Sequence, residues 1–366
     1  MPLDKAVIFE LSSDIMLLAI HFPSWLRPEI FPGLPIRWYG LMYIVAFTVA
    51  YLMYRRQVKE RNFPMTEDDL SGLFLWGIIS LILGARLFYA LVYDVDGIFR
   101  RQPWLIFWPF RDGVFTGLQG MSYHGGVIGG ILAVFVYSKA KKFDFRELGD
   151  MFAASIPLGF TFGRLGNFIN GELYGRITTS PLGMIFPHGG VGPWHRDFER
   201  IREAATEMGL TPIVEPGGIL NFPRHPSQLY QMVFEGVFLW AIIWFFRNRK
   251  PFKGFLITLY ISGIGLIRFV IEYFRQPDAA IGYRIQFVET PLPPAIAHPL
   301  LAFSTGQVLC FFMIIAGLVW AFFASRMKDR DPVRLYTAEE TQIQKATPAE
   351  NQANKNRRRK LRNKLK

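Results

Sequence analysis

Five polar side chains lie close together in one otherwise apolar, glycine-rich stretch of the sequence. Residues 163 to 176 read G-R-L-G-N-F-I-N-G-E-L-Y-G-R, and the polar members are Arg164, Asn167, Asn170, Glu172 and Arg176. An ionisable side chain at membrane depth is costly unless it is paired or lines a wet cavity. Arginine suits phosphate because its planar fork donates two parallel hydrogen bonds and stays charged. This stretch therefore predicts a site for an anion.

A second polar group lies near the end of another apolar run. Arg268, Glu272 and Arg275 are spaced i, i+4 and i+7, which places them on one stripe of a helix. An ion pair between Arg268 and Glu272 is the structural alternative. One carboxylate cannot neutralise two arginines, so the stripe also favours anion binding. Further candidates stand near the ends of other runs: Tyr39, Arg86, His124, His225, Ser227 and Gln228.

The two histidines and Arg86 each have a structural interpretation as well. His124 lies in M-S-Y-H-G-G-V-I-G-G, whose glycines permit close helix packing, and it is as readily a structural residue as a base. His225 precedes Pro226, which suits a first helical position where free N–H groups hold an anion or are simply capped. Arg86 needs a partner at its depth, and a phosphate or Glu172 would serve.

Seven apolar runs must position these side chains. Hydrophobic residues make up 51% of the chain, and each run is close to the ~20 residues that a membrane-spanning helix needs. The sequence therefore predicts an all-α polytopic membrane protein with seven transmembrane helices, a small extracytoplasmic head and interfacial arms. The predicted spans are 36–54, 70–93, 119–138, 149–169, 227–246, 254–274 and 300–325.

Positive charge predicts the orientation of these spans. The short loops after the first, third and fifth runs are rich in Lys and Arg, which marks them as cytoplasmic. Residues 326–366 hold thirteen Lys and Arg against five Asp and Glu, typical of a basic cytoplasmic tail at a membrane surface and not of nucleic-acid binding. The N-terminus and the candidate site then face the extracytoplasmic side.

The predicted domain organisation follows from the spans. Residues 1–35 form an extracytoplasmic N-terminal arm with Trp25 and Phe31 as anchors, and 36–325 form the seven-span core. Within the core, the aromatic and basic residues of 94–118 suit an interfacial arm. The Gly- and Pro-rich residues 170–226 suit an extracytoplasmic head with one short charged helix near 199–208. Residues 326–366 complete the chain as the basic tail.

Several chemistries lack their motifs in this sequence. It has no phosphate-binding P-loop, no H-E-x-x-H zinc helix and no G-x-S-x-G nucleophile turn. No set of outward Asp residues suggests a magnesium site, so we expect neither a metal nor a cofactor. The single cysteine, Cys310, excludes an intramolecular disulfide and is typical of a small core residue.

Two other membrane functions remain as alternatives. A lipid flippase or anion channel could use outward arginines, but it needs a polar route to the other side, and a charged residue in the middle of a span would favour it. We identify no such residue. An intramembrane protease would need a Ser-His pair or paired intramembrane Asp residues, and the sequence offers neither.

Five ordered motifs resemble those of the bacterial phosphatidylglycerol:prolipoprotein diacylglyceryl transferases. They are W-Y-G-L-M-Y at 38–43, Y-H-G-G at 123–126, the stretch at 163–176, R-H-P-S-Q-L-Y at 224–230 and R-F-V-I-E-Y-F-R-Q-P-D at 268–278. The resemblance implies transfer of the diacylglyceryl group of phosphatidylglycerol to the lipobox cysteine of a prolipoprotein signal peptide, with a thioether formed and glycerol phosphate released. It also implies a monomer among the lipids of the bacterial inner membrane.

The resemblance further implies roles for the candidate residues. Arg164 and Arg268 would hold the phosphate, Glu172 and Glu272 would orient these arginines, and Asn167 would hydrogen-bond the headgroup. His124 is the candidate base with Tyr39 as a nearby donor. Gly175 matches a motif glycine and is expected to allow close backbone approach. The other expected binding residues are Arg86, Asn170, Arg176, His225, Ser227 and Gln228.

Overall fold

The computed structural model describes residues 20–31, 37–92, 94, 97–111, 113–115, 120–276, 283–288, 292–327 and 333–337. Much of the predicted N-terminal arm and of the basic tail lies outside these residues. The described chain is mostly helical, and its short strands form four two-stranded sheets.

The helices follow the predicted apolar runs closely. In chain order they are α1 (Trp38–Glu60), α2 (Glu67–Val92), α3 (Ile98–Arg101), α4 (Tyr123–Lys141), α5 (Phe145–Ala153), α6 (Ile156–Ile169), α7 (Phe198–Glu207), α8 (Ser227–Phe246), α9 (Phe255–Ile271) and α10 (Thr305–Ser325). A 3₁₀ turn occupies Pro103–Ile106.

The strands are two to four residues long. They are β1 (Ile20–His21), β2 (Phe110–Arg111), β3 (Val114–Phe115), β4 (Met184–Ile185), β5 (Ile213–Glu215), β6 (Ile219–Asn221), β7 (Tyr283–Gln286) and β8 (Ala302–Ser304). β1 pairs with β4 in parallel, whereas β2 with β3, β5 with β6 and β7 with β8 are antiparallel.

The predicted continuous helix over 149–169 is wrong, because the chain breaks there between α5 and α6. Pro157 sits in the first turn of α6 and has no N–H to donate. A proline inside a helix also clashes with the carbonyl four residues earlier, which here is Ala153, the last residue of α5. The break therefore lies where this proline requires it.

Three helices of the described chain, α2, α8 and α10, are long and apolar enough to cross a membrane. α9 is equally apolar but has only 17 residues. Large apolar side chains remain exposed along these helices, for example Trp76, Phe238 and Phe312. An apolar surface of this extent is typical of a protein whose solvent is lipid, and the chain is a multi-pass membrane protein.

The chain divides into two compact units. The first comprises Met1–Ala50 and Ala153–Lys328, and the second comprises Tyr51–Phe152 and Asp329–Lys366. α1 and α5 each pass from one unit to the other along the sequence.

In the first unit, glycines allow helices to approach closely. A Cβ on Gly159 would lie 2.7 Å from the carbonyl oxygen of Ala46, so α6 packs directly on the first part of α1. Away from the long apolar helices, the short helix α7 and the β5–β6 hairpin enclose a small core that includes Ile201, Ala205 and Phe222. The helix expected near 199–208 is confirmed as α7.

In the second unit, α2 and α4 pack through glycines. A Cβ on Gly129 would overlap the carbonyl oxygen of Ser80, and one on Gly125 would overlap that of Gly84. The close packing expected from the glycines after His124 is therefore confirmed at positions 125 and 129. In the arm expected at 94–118, α3, the 3₁₀ turn and the β2–β3 hairpin expose Trp104 and Trp108.

Candidate active site

A chain of hydrogen bonds joins Arg164 to Glu172 at the end of α6. Nη1 of Arg164 donates to Oδ1 of Asn167 over 3.2 Å, and Nδ2 of Asn167 donates to Oε1 of Glu172 over 2.9 Å. Asn170 also donates to Oε1 of Glu172, over 3.3 Å. An amide accepts and donates at once, so Asn167 can link a cation to a carboxylate. Glu172 thus reaches Arg164 through Asn167.

The turn after α6 brings Glu172 back over Asn167. Gly171 has φ +64°, its N–H donates to the carbonyl of Phe168, and the N–H of Glu172 donates to that of Asn167. This is the Schellman arrangement, in which glycine takes the left-handed position at little cost. The sequence N-G-E therefore ends the helix and folds the carboxylate towards the amide.

Ser227 and Gln228, at the start of α8, donate hydrogen bonds to the backbone of this turn. Oγ of Ser227 donates to the carbonyl of Leu173 over 2.9 Å, and Nε2 of Gln228 donates to that of Glu172 over 2.6 Å. Both side chains are fully buried. Their hydrogen bonds go to the backbone of the turn, so these two side chains support the position of Glu172.

Gly175 is confirmed as a point of close backbone approach. Its N–H donates to the carbonyl of His225 over 2.7 Å, and a Cβ there would lie 2.8 Å from the Cβ of His225. It also forms a bridge to Arg275. Any larger residue would push three chain segments apart.

Arg176 and His225 flank this point outside the helices. Arg176 is buried and donates to the carbonyl oxygens of Tyr273, Pro294 and Ala297, so it braces the backbone and is not positioned as the expected substrate ligand. Nδ1 of His225 lies 3.2 Å from the hydroxyl of Tyr230. Burial, together with the nearby Arg176 charge, lowers the pKa of His225 to about 4, so the ring is neutral at physiological pH.

The second arginine of the site pairs with a carboxylate that the sequence analysis missed. Nη1 of Arg268 lies 3.1 Å from Oε2 of Glu235, whose side chain is 0% exposed while that of Arg268 is 26% exposed. The expected i, i+4 partner, Glu272, instead pairs with Arg275 over 3.6 Å and accepts from Oγ of Ser304 over 3.0 Å. The helical spacing of the predicted stripe is kept, since the N–H of Glu272 donates to the carbonyl of Arg268 and the N–H of Arg275 donates to that of Ile271.

Glu235 also corrects the statement that no charged residue lies in the middle of a span. It stands in the centre of α8, within the run 227–246. The signal was visible in the sequence as M-V-F-E-G-V-F, a lone carboxylate in an apolar run. Because its partner is Arg268, the charge belongs to the arginine cluster and does not define a separate polar route.

These groups gather in one place within the first unit. Arg164 lies within electrostatic range of Arg268, Arg275 and Glu235, and Tyr39 lies within range of Glu172 and Arg164. The hydroxyl of Tyr39 is 3.0 Å from that of Tyr43, a second residue that the sequence analysis did not identify. Three guanidinium groups and the carboxylates of Glu172, Glu235 and Glu272 therefore form one cluster. Within it the Arg268 side chain stays partly exposed and can donate to an anion.

Two expected site residues belong to the second unit. His124 is exposed in the first turn of α4, with its ring 6.5 Å from that of Phe88. Arg86 is 2% exposed, and it donates to the carbonyl oxygens of Leu105, Ile106 and Gly120. The partner expected for Arg86, a phosphate or Glu172, is corrected to these backbone carbonyls. Arg86 thus supports the 94–118 arm.

No group of three or more His, Cys, Asp or Glu side chains in the described part of the chain is arranged to hold a metal ion.

Comparison with known proteins gives a consistent result. A family model described as prolipoprotein diacylglyceryl transferase matches residues 28–323. A Treponema denticola protein is 54% identical over 325 residues, covering 83% of this chain and 94% of the relative. A Treponema pallidum protein is 46% identical over 336 residues, covering 87% and 99%. A Chlorobaculum tepidum protein is 40% identical over 310 residues, covering 82% and 92%.

All three relatives are named phosphatidylglycerol–prolipoprotein diacylglyceryl transferase. The matched region includes the arginine cluster of α6 and α9 as well as the five motifs that suggested the resemblance. That resemblance is confirmed, and the chain belongs to the prolipoprotein diacylglyceryl transferase family.

Proposed function

We propose that this protein transfers the diacylglyceryl group of phosphatidylglycerol to the cysteine thiol of prolipoproteins. Family membership and the names of its relatives support this pair of substrates. The observation that carries the proposal is the cluster in which Arg164, linked through Asn167 to Glu172, lies in electrostatic range of Arg268. Two guanidinium groups can donate bidentate hydrogen bonds to the oxygens of an anionic phosphodiester.

The reaction is a displacement at a glycerol carbon. The lipobox thiol loses its proton, its sulfur attacks the glycerol carbon that bears the phosphate, and a carbon–sulfur bond replaces the carbon–oxygen bond. The electron pair leaves with the phosphate oxygen, so the products are a thioether and glycerol phosphate. Arg164 and Arg268 stabilise the charge on the departing phosphate, because preorganised cations act most strongly on charge that develops in the transition state.

A free thiol has a pKa of about 8.5, so proton removal needs a base or a positive field. His124 takes this role in our proposal, and Tyr39 acts as a hydrogen-bond donor at the arginine cluster. The exposed position of His124 leaves its ring accessible to a substrate. Its contribution is tested separately, since replacing His124 by Gln removes the proposed proton acceptor and should lower the rate of transfer.

The proposed topology has seven spans, with α5 and α6 together crossing as the fourth. The positions of Lys and Arg support an extracytoplasmic N-terminus and site and a cytoplasmic C-terminus in the bacterial inner membrane. Phosphatidylglycerol and the signal peptide of the precursor then reach the site from the same leaflet, and the enzyme acts as a monomer.

The test uses purified protein in phosphatidylglycerol vesicles with a lipobox peptide. We expect the peptide to gain the mass of one diacylglyceryl group, and a peptide with Ser in place of Cys to remain unmodified. Vesicles of phosphatidylcholine alone serve as the lipid control. Failure to modify the Cys peptide under conditions in which the protein is folded would contradict the proposed function.

A further inference from the structure

Glu235 is the most deeply buried carboxylate of the arginine cluster. Its side chain is 0% exposed, and Oε2 lies 3.1 Å from Nη1 of Arg268. Its other oxygen, Oε1, is buried without a hydrogen-bond donor among the residues that the structure describes. A charged group so placed in an apolar helix is costly, and its presence indicates a function for the pair.

The backbone around Glu235 departs from the regular α-helix. Residues Met232–Phe238 of α8 form a π-helical segment with Glu235 at its centre. Such segments are rare and concentrate at functional sites. The next residue, Gly236, lies so close to α6 that a Cβ would overlap Oγ1 of Thr161.

On its other side, α8 contacts the helix of Arg268. A Cβ on Gly263 of α9 would lie 2.6 Å from Cδ1 of Leu239. The π-helical segment therefore stands against α6, which carries Arg164, and α8 continues against α9, which carries Arg268. Glu235 lies within electrostatic range of both arginines.

The other carboxylates near the cluster have their own partners. Glu272 pairs with Arg275 and accepts from Ser304, and Glu172 accepts from Asn167 and Asn170. Glu235 contacts Arg268 directly, over 3.1 Å. Two guanidinium groups repel each other at short range, and a carboxylate within electrostatic range of both lowers the cost of holding them at one phosphate.

A purely structural ion pair is the competing interpretation. Buried ion pairs are weak evidence for stability, since apolar replacements of similar size are often neutral. In this pair, however, the Glu235 side chain is fully buried while the Arg268 side chain is 26% exposed. That asymmetry is expected of a carboxylate that holds an arginine for a ligand.

We propose that Glu235 is a positioning residue for diacylglyceryl transfer, which fixes Arg268 so that its guanidinium and that of Arg164 converge on the phosphate of the headgroup. The inference rests on the proposed function. It concerns a residue of α8 that contacts Arg268 and acts through it.

A double-mutant cycle tests the inference, with the initial rate of peptide modification as the readout. Glu235→Gln keeps the shape of the side chain and removes its charge, and we expect a loss of about tenfold or more in rate. Arg268→Gln removes the partner itself. Because Glu235 acts through Arg268, the double variant should be within about twofold of Arg268→Gln alone.

Glu147→Gln supplies the matched control. Glu147 is a buried carboxylate paired with an arginine over 3.3 Å, but its partner is Arg61 in the second unit. Whatever its own effect on rate, combining it with Arg268→Gln should multiply the two losses. If Glu235 positions Arg268, the rate loss of their double variant is smaller than the product of the two single losses. If a variant only destabilises the protein, as expected for Glu147→Gln, the two losses multiply.

Three outcomes would overturn the inference. The first is an unchanged rate for Glu235→Gln. The second is a double variant, Glu235→Gln with Arg268→Gln, whose rate loss equals the product of the two single losses. The third is failure of both Glu235→Gln and Glu235→Asp to fold, since a positioning residue is dispensable for folding. An inactive wild-type protein would contradict the proposed function instead, so the two failures are distinguishable.

Discussion

Asn167 shows how the site depends on single atoms. Its Oδ1 accepts from Arg164 and its Nδ2 donates to Glu172, so a guanidinium and a carboxylate are held by one neutral side chain that is 6% exposed. An aspartate at this position could still accept from Arg164, but it would face Glu172 with a second negative charge.

We therefore predict that Asn167→Asp lowers the rate of transfer by about tenfold to a hundredfold, the size expected when a hydrogen bond to a charged group is lost. Adding Glu172→Gln to this variant restores a donor that can face the new carboxylate, and the rate should partly recover. The measurement is peptide modification by detergent-purified protein. A double variant slower than Asn167→Asp would contradict the proposed linkage.

His225 gives a prediction for pH. Its pKa is about 4 in the folded protein against 6.5 for the free side chain. Below pH 6.5 the unfolded chain binds the proton more readily, so this residue lowers stability as pH falls from 6.5 towards 4 and has no effect above that window. The thermal midpoint of His225→Gln should fall less than that of wild type over this window. Parallel curves for the two proteins would exclude the effect.

At the residue scale, the sequence predicted the members of the cluster better than their partners. Arg164, Asn167 and Glu172 are near neighbours in the chain, and local spacing sufficed to associate them. The structural alternative for Arg268 was an ion pair with Glu272. The helical spacing is kept there, since the N–H of Glu272 donates to the carbonyl of Arg268, but the Glu272 carboxylate pairs with Arg275. Glu235 comes from another helix, and no local spacing encodes that contact.

At the scale of elements, the turn after α6 is held by its neighbours as much as by its own sequence. Gly171 ends the helix, Ser227 and Gln228 bind the turn, and Gly175 lets the chain pass against His225. Four buried contacts thus set the position of one exposed carboxylate, Glu172.

Gly175→Ala tests this arrangement. The added Cβ would lie 2.8 Å from the Cβ of His225 and 2.9 Å from its carbonyl oxygen, so the backbone must shift. We expect a loss of stability of about 1–3 kcal/mol, typical of overpacking, together with reduced transfer. Gly77→Ala in α2 is the control, because nothing lies within 4 Å of its added Cβ. Equal thermal midpoints for the two variants would show that the close approach is unimportant.

The positions of the helices were predictable where a change in hydropathy marks their ends. The runs at 227–246 and 300–325 match α8 and the α10 region closely, and α7 appeared where charge and Gly-Pro content indicated a head. The break before Pro157 was missed because the run was defined by hydropathy, although the proline in the sequence marks where the hydrogen bonding is interrupted. The π-helical segment of α8 leaves no comparable trace in composition.

At the scale of the whole molecule, a short segment beyond α10 belongs to the second unit. The hydroxyl of Tyr336 donates to Oε2 of Glu147 over 2.8 Å, its N–H donates to the carbonyl of Arg61, and its ring packs edge-on against Phe63. The sequence indicated only a basic tail here, because contacts between residues 189 positions apart leave no local pattern.

Tyr336→Phe should therefore destabilise the protein, by about 1–3 kcal/mol, because the buried carboxylate of Glu147 loses a donor. The neighbouring Leu335→Ala is the control, since Leu335 is 67% exposed. Thermal unfolding of the purified protein measures both. If Tyr336→Phe unfolds at the temperature of Leu335→Ala and wild type, the docking of this segment contributes no stability.

The central claim is that Arg164 and Arg268 together hold the phosphate of the lipid during transfer. The most direct measurement is the initial rate at which purified wild type, Arg164→Gln and Arg268→Gln modify a lipobox peptide in phosphatidylglycerol vesicles. We predict that each variant remains folded, with a lower thermal midpoint for Arg268→Gln because the buried carboxylate of Glu235 loses its partner. Each should lose at least about a hundredfold in rate, as expected when a donor to developing charge is removed. A folded variant of either arginine that modifies the peptide at the wild-type rate would contradict this account.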